Sequence, residues 1–274
     1  MPFIETRDRV RLFYRDWGTG KPFVFVHGWA LSSEVWEHQM TAVAGQGRRC
    51  VAHDRRGCGR SDQPGRGYDY DTFGDDLAAL LDGPELRGVT LVGHSMGGGD
   101  LVRYLARHGA ARVDRVVFVA STMPFLLKTP DNPDGVERTV FDRMIADVRR
   151  DRPGFMAASA PTFFGRAATD GSVSPEMMAW AVGLALQACP VGLTDMVRAF
   201  SETDFRPEMA AALTMPTLIV HGDADVNVPL ELCGRRAAAL VPGSRLDVYE
   251  GAPHGLPLTD RDRLTADLLA FAPG

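Results

Sequence analysis

The stretch Val89-Thr90-Leu91-Val92-Gly93-His94-Ser95-Met96-Gly97-Gly98-Gly99 passes from a short apolar segment directly into Gly-x-Ser-x-Gly, and a helical pattern then continues to about His108. A serine between two such glycines, where a strand turns into a helix, sits on a sharp and strained bend. A side chain two residues away on either side would collide with that bend. The bend lifts the Ser95 hydroxyl off the sheet and leaves it at a helix N-terminus, where negative charge is favoured. The glycines from Gly93 to Gly99 do not follow the G-x-G-x-x-G register of a dinucleotide site. Ser95 therefore reads as a nucleophile.

Outward from this turn, short apolar segments alternate with helical ones, the pattern of a mostly parallel sheet covered on both faces. Val10 to Trp17 reads as an antiparallel strand, followed by strands at Phe23–Val26 and Cys50–His53, with helices at Val35–Gly45 and Thr72–Leu81. Beyond the serine come a strand at Val113–Ala120, then strands at Pro216–Val220 and Arg245–Tyr249, with helices at Leu230–Leu240 and Asp260–Phe271. From about Thr122 to Thr214 there is no strand. Pro124, Pro130, Pro133, Pro153, Pro161, Pro175 and Pro190 mark joints between helical stretches such as Val136–Arg150, Pro175–Ala188 and Gly192–Ser201. A helical insertion of this length reads as a cap. The expected division is a core domain at 1–121 and 215–274, with a cap at 122–214.

A serine hydroxyl is a weak nucleophile and needs a base that is itself oriented by an acid. In a strand–serine–helix architecture the partners follow in the order Ser, then Asp or Glu, then His. His254, in Ala252-Pro253-His254-Gly255 after the last strand, fits the base. The acid lies in His221-Gly222-Asp223-Ala224-Asp225. Asp223 directly follows Gly222 and suits a turn cap, so Asp225, farther along the loop, is favoured. Two backbone N–H groups should receive the developing oxyanion: that of Met96, after the nucleophile, and that of Trp29, in the loop His27-Gly28-Trp29-Ala30. His94 is expected to shape the pocket, His53 to bond backbone at a strand end, and His221 to be structural. His38 and His108 are expected to lie exposed on helices.

Composition narrows the partners. The chain has 274 residues, 45% hydrophobic and 24% charged, with 30 basic against 35 acidic side chains and a net charge of −5. That balance argues against a nucleic-acid partner, and no apolar run is long enough to span a membrane. Residues 1–10 carry charges and no apolar leader segment, so the expectation is a cytoplasmic protein. The four cysteines form no C-x-x-C pair and no metal-ligand spacing, so free thiols and no metal are expected. Arg55, Arg56 and Arg60 cluster in one turn, where structural ion pairing is the plain expectation.

Taken together, the chain resembles the α/β-hydrolase family, and within it the bacterial aryl esterases and the related cofactor-free haloperoxidases, or perhydrolases. The residues that carry the resemblance are His27-Gly28-Trp29, Asp54-Arg55-Arg56-Gly57, Gly59-Arg60-Ser61-Asp62-Gln63-Pro64, Tyr68-Asp69-Tyr70-Asp71-Thr72-Phe73, Ser95-Met96-Gly97-Gly98-Gly99, Glu202-Thr203-Asp204-Phe205-Arg206-Pro207 and His221-Gly222-Asp223. The resemblance implies an eight-stranded, mostly parallel sheet flanked by helices, with a helical cap inserted after strand six. It also implies a Ser95–His254–Asp225 triad, Trp29 and Met96 as oxyanion donors, no cofactor, and hydrolysis of small or aryl esters. It allows for a homo-oligomer. Peracid formation from an acid or ester plus peroxide, or lactone hydrolysis, are the alternative activities. Members strong in peracid formation carry Pro after the aromatic of the His-Gly-aromatic loop. Ala30 stands there in this chain, which favours ester hydrolysis, and Ala30→Pro is expected to raise peracid formation. The substrate pocket is expected to draw on Ala30, His94, Phe125, Phe141, Phe155, Phe163, Trp180, Leu184 and Val226.

Overall fold

A computed structural model describes residues 2–273. The chain runs β1 (Phe3–Glu5), β2 (Arg11–Gly18), β3 (Pro22–Val26), α1 (Glu37–Ala44), β4 (Arg49–His53), α2 (Tyr70–Asp82), β5 (Val89–His94), α3 (Gly97–His108) and β6 (Val113–Val119). Five helices follow: α4 (Arg138–Arg150), α5 (Arg152–Phe164), α6 (Pro175–Ala185), α7 (Pro190–Glu202) and α8 (Arg206–Ala212). The chain closes with β7 (Thr217–Gly222), α9 (Gly234–Leu240), β8 (Arg245–Tyr249), α10 (Leu256–Thr259) and α11 (Arg261–Phe271).

The eight strands form one sheet in the order β1-β2-β4-β3-β5-β6-β7-β8. β1 and β2 pair antiparallel, as do β2 and β4, and the remaining pairs are parallel. The sheet is eight-stranded and mostly parallel, as expected, with a helical insertion between β6 and β7. The three-residue β1 escaped sequence reading because Phe3-Ile4-Glu5 is too short to show a period. It exists because Phe3 sits opposite Phe13 on β2, with the two rings edge to face.

β3, β5 and β7 are buried along their whole length, as expected of strands covered by helices on both faces. Val24, Val26, Val51 and Leu91 pack on one face with Leu77, Leu101 and Val102 of α2 and α3. Phe23, Phe25, Val92 and Val117 pack on the other with Val43 of α1 and Leu264 and Leu268 of α11. The alternation of side chains along each strand sorts them into these two clusters.

The arginine turn after β4 is an ion-paired staple, as its composition suggested. Arg55 pairs with Asp100 on α3 at 2.6 Å, and Arg56 pairs with Asp76 on α2 and with Asp8. Both guanidinium groups are buried, and each carboxylate–guanidinium contact to Asp76 and Asp100 is made by more than one N–H. In the cap, Pro153, Pro175 and Pro190 stand in the first turns of α5, α6 and α7, where a missing N–H costs nothing. Pro161 departs from expectation: it lies inside α5 rather than at a joint. It sits in the last turn, so only one ladder bond, to the carbonyl of Ala157, is forgone. Among the described residues, no single helix is long and apolar enough to cross a membrane.

Candidate active site

The Gly-x-Ser-x-Gly turn forms where β5 runs into α3. Ser95 has φ +55°, a left-handed conformation that costs a non-glycine residue energy. The turn is held by the Ser95 N–H donating to Val119 O at 3.0 Å, and by the Ser121 hydroxyl donating to Ser95 O at 3.0 Å. The flanking glycines are needed for close approach. A Cβ on Gly93 would fall 2.8 Å from the Gly97 carbonyl oxygen, and one on Gly97 would fall 2.7 Å from Val26 O.

Ser95, His254 and Asp225 meet although 29 and 159 residues separate them. His254 Nε2 lies 3.0 Å from Ser95 Oγ, and His254 Nδ1 lies 2.7 Å from Asp225 Oδ2. All three side chains are buried. The other Asp225 oxygen accepts the N–H groups of Asn227 and Val228 at 3.0 and 2.8 Å. Burial alone would raise the Asp225 carboxyl, but the His254 ring and the Val228 N–H outweigh it and hold it below the ordinary carboxylate value. Asp225 thus stays an anion and an acceptor, so the imidazole proton sits on Nδ1 and Nε2 is free to take the serine proton. Asp223 does not reach His254. Its carboxylate accepts the Gly251 N–H at 2.6 Å and ties the two loops together.

His94 and His221 flank this line of hydrogen bonds. The His94 Nε2–H donates to His254 O at 3.0 Å, and the His221 Nε2–H donates to Val228 O at 2.7 Å. Burial, with the neighbouring His254 ring, lowers the His94 pKa to about 3. Burial likewise lowers His221. Both are neutral scaffolding for the loops that carry Asp225 and His254. His53 differs from expectation: its Nδ1 is buried and unpartnered, and its ring packs 6.3 Å from that of His27. His38 also differs in part, being half-buried and 2.9 Å from Asp262.

The loop after β3 faces Ser95 closely, since a Cβ on Gly28 would fall 2.9 Å from Ser95 Cβ. Neither the Trp29 N–H nor the Met96 N–H makes a backbone hydrogen bond among the described residues. The half-buried Trp29 ring packs edge to face on Phe155 and Phe200, and its Nε1–H donates to Leu193 O of α7 at 2.9 Å. Ala30 has φ +59°. Proline is locked near −65°, so the expected Ala30→Pro conversion is not a side-chain exchange and would rebuild the loop.

Above Ser95 lies a cavity of about 680 Å³ between the cap and the core. Of the residues expected to line it, Ala30, His94, Phe141, Phe155, Phe163 and Val226 do so. Three do not. Phe125 turns into the core beneath the Arg206 guanidinium, 5.1 Å from its ring. Trp180 and Leu184 share one face of α6, four residues apart, and that face turns away from the cavity: Trp180 packs against the Phe164 cluster and Leu184 is buried. Ala181, Val182 and Ala185 of the same helix line the cavity instead, because one residue rotates a helix by 100°. Leu126, Val140, Met144, Met156 and Phe200 were not anticipated as lining residues. The spacing of Val140, Phe141 and Met144 on one face of α4 was the available signal.

Comparison with known proteins agrees with this fold. Residues 21–260 match the model of the α/β hydrolase fold family. The chain is 43% identical to a non-heme chloroperoxidase of Kitasatospora aureofaciens and 39% identical to a bifunctional esterase/perhydrolase of Acinetobacter calcoaceticus, over 99% of both chains in each case. The crystal structure of a bromoperoxidase from Bacillus anthracis superimposes with a TM-score of 0.95, at 39% identity and over 98% of both chains. The chain therefore belongs to the α/β-hydrolase family, as an enzyme of the branch that contains both esterases and non-heme haloperoxidases.

Proposed function

We propose that this enzyme is a serine ester hydrolase acting on neutral esters with an apolar acyl or aryl group. The observation that carries the reading is the hydrogen-bonded line from Ser95 Oγ through His254 to Asp225, opening into an apolar cavity. His254 Nε2 takes the serine proton as Oγ attacks the ester carbonyl. Asp225 holds the ring and stabilises its charge. The N–H groups of Trp29 and Met96 receive the oxyanion, each worth roughly 3–4 kcal/mol to the transition state. The alcohol leaves with the proton from His254, and water attacks the acyl-enzyme by the same route. No lysine or arginine lines the cavity among the described residues, so a substrate carboxylate would find no counter-charge there.

Similarity to a bifunctional esterase/perhydrolase favours peracid formation as a second activity. It uses the same acyl-enzyme, with hydrogen peroxide replacing water as the attacking group, and releases a peracid. Turnover of phenyl acetate, p-nitrophenyl butyrate and p-nitrophenyl octanoate, with and without peroxide, separates the two. Ester hydrolysis should dominate and should fall at least about a thousandfold in Ser95→Ala. Ester turnover that survives Ser95→Ala would overturn the mechanism, and peracid yield exceeding hydrolysis would favour the alternative.

A further inference from the structure

The peptide that carries the Trp29 N–H is gripped from behind. It is a trans peptide, so its C=O and N–H point in opposite directions, and whatever holds the Gly28 carbonyl also aims the Trp29 N–H. Gly28 O accepts a hydrogen bond from His27 Nδ1–H at 2.8 Å and longer ones from Arg55 Nη1 and the Leu31 N–H, each at 3.4 Å. The His27 tautomer follows from its other nitrogen. Nε2 accepts the Arg55 backbone N–H at 2.9 Å, which leaves the proton on Nδ1. Burial, with the adjacent Arg55 charge, keeps His27 neutral.

Arg55 extends this grip to the helix beyond the nucleophile. Its side chain is 1% exposed. Nη2 donates to His27 O at 2.9 Å, while Nη2 and Nε donate to Asp100 Oδ2 at 2.6 and 3.1 Å. Asp100 lies on α3, just past Ser95 and Met96. One guanidinium thus ties the 27–29 loop to the helix at whose start the second N–H donor stands.

We propose that Arg55, together with His27, is a positioning residue that aims the Trp29 N–H at the reacting carbonyl oxygen by fixing the Gly28–Trp29 peptide plane and its spacing from α3. The inference rests on the reading of Trp29 as an oxyanion donor given above. It differs from a plain structural brace in a way that two amide variants resolve. In His27→Asn the amide nitrogen occupies the place of Nδ1 and still donates to Gly28 O. In His27→Gln the amide reaches the place of Nε2, so it meets the Arg55 N–H and leaves Gly28 O without that donor. Both variants remove the same ring from the same buried site, so a brace alone would suffer equally in both.

The experiment is steady-state kinetics on phenyl acetate, beside inhibition by an aryl trifluoromethyl ketone, which adds to the serine and forms a stable oxyanion. The kcat of His27→Asn should exceed that of His27→Gln by about tenfold, with KM values within about threefold of each other. Arg55→Lys keeps the charge beside Asp100 but loses the fork, and should lower kcat by about 10- to 100-fold. Ketone affinity should fall in step with kcat/KM across the series. Equal kcat in the two His27 variants, or losses confined to KM, would overturn the inference. If Arg55→Lys fails to fold, the His27 pair decides. Wild-type turnover that survives Ser95→Ala would remove the functional reading and this inference with it, whereas Ser95-dependent turnover with matched His27 variants removes this inference alone.

Discussion

Ser95 carries two burdens, a left-handed backbone at φ +55° and a side chain held 3.0 Å from His254. They can be separated. Ser95→Gly removes the hydroxyl and the strain together, so turnover should vanish while stability to urea rises by about 1 kcal/mol. Unchanged or lower stability would show that the turn is not strained. Asp225 isolates the orienting role. In Asp225→Asn the amide oxygen can still accept the Asn227 and Val228 N–H groups, so the fold should persist. The imidazole then loses its anionic partner and its tautomer is no longer set, so kcat should fall by about 10³- to 10⁴-fold. A loss below tenfold would mean that another group orients His254. His221 is the neighbour to inspect in that event, since its Nε2 lies 3.6 Å from the same carboxylate.

At the level of elements, the residues around Ser95 sit where rigid pieces abut: the end of β5, the start of α3 and the loops after β3, β7 and β8. Ala30 shows how tightly one such loop is specified. Its φ of +59° conflicts with the ring of proline. Ala30→Pro should therefore cost more than about 1 kcal/mol of stability and lower ester turnover through a displaced Trp29 N–H. A variant with wild-type melting temperature and kcat would show that the loop has a second conformation of equal energy. The core elements were legible in the sequence because their signals are local: apolar runs bounded by glycine, and helices with a clear apolar face. β1 and α5 were not legible. β1 is defined by its partner β2, and α5 contains a proline that local rules read as a break, although a proline in a last turn forfeits little.

Across the whole molecule, burial sets the response to acid. His27 and His53 sit together behind the loop after β3, and His94 and His221 behind the Asp225 and His254 loops. All four have pKa values lowered chiefly by burial, to about 3 for His53 and His94. In the unfolded chain they titrate near 6.5. Below that pH the unfolded state binds more protons, so stability is present above about 6.5 and is lost as pH falls. Asp76 and Asp100 oppose this, because burial lifts both to about 6 and they take up protons on folding between roughly pH 4 and 6. The histidines outnumber them. Stability measured by urea denaturation should therefore fall between pH 7 and pH 5. A flat profile over that range would mean that the two carboxylates cancel the histidines or that the histidines are charged in the native state.

The amino-acid order was enough to name the strand–Ser95–helix turn, the helical insertion, and Asp225 and His254 as the partners to expect, because each is announced by neighbours a few residues away. It could not say which apolar cap residues face the cavity. Phe125, Trp180 and Leu184 are as hydrophobic as Phe141, Phe155 and Phe163, and what separates them is the rotation of each helix against the core, a property of packing between distant segments. Nor could it show that Arg55 and His27 grip the Gly28 carbonyl. Those contacts exist only once β3, β4 and α3 are laid side by side, where an arginine excluded from water must satisfy its donors on whatever oxygens the fold brings within reach.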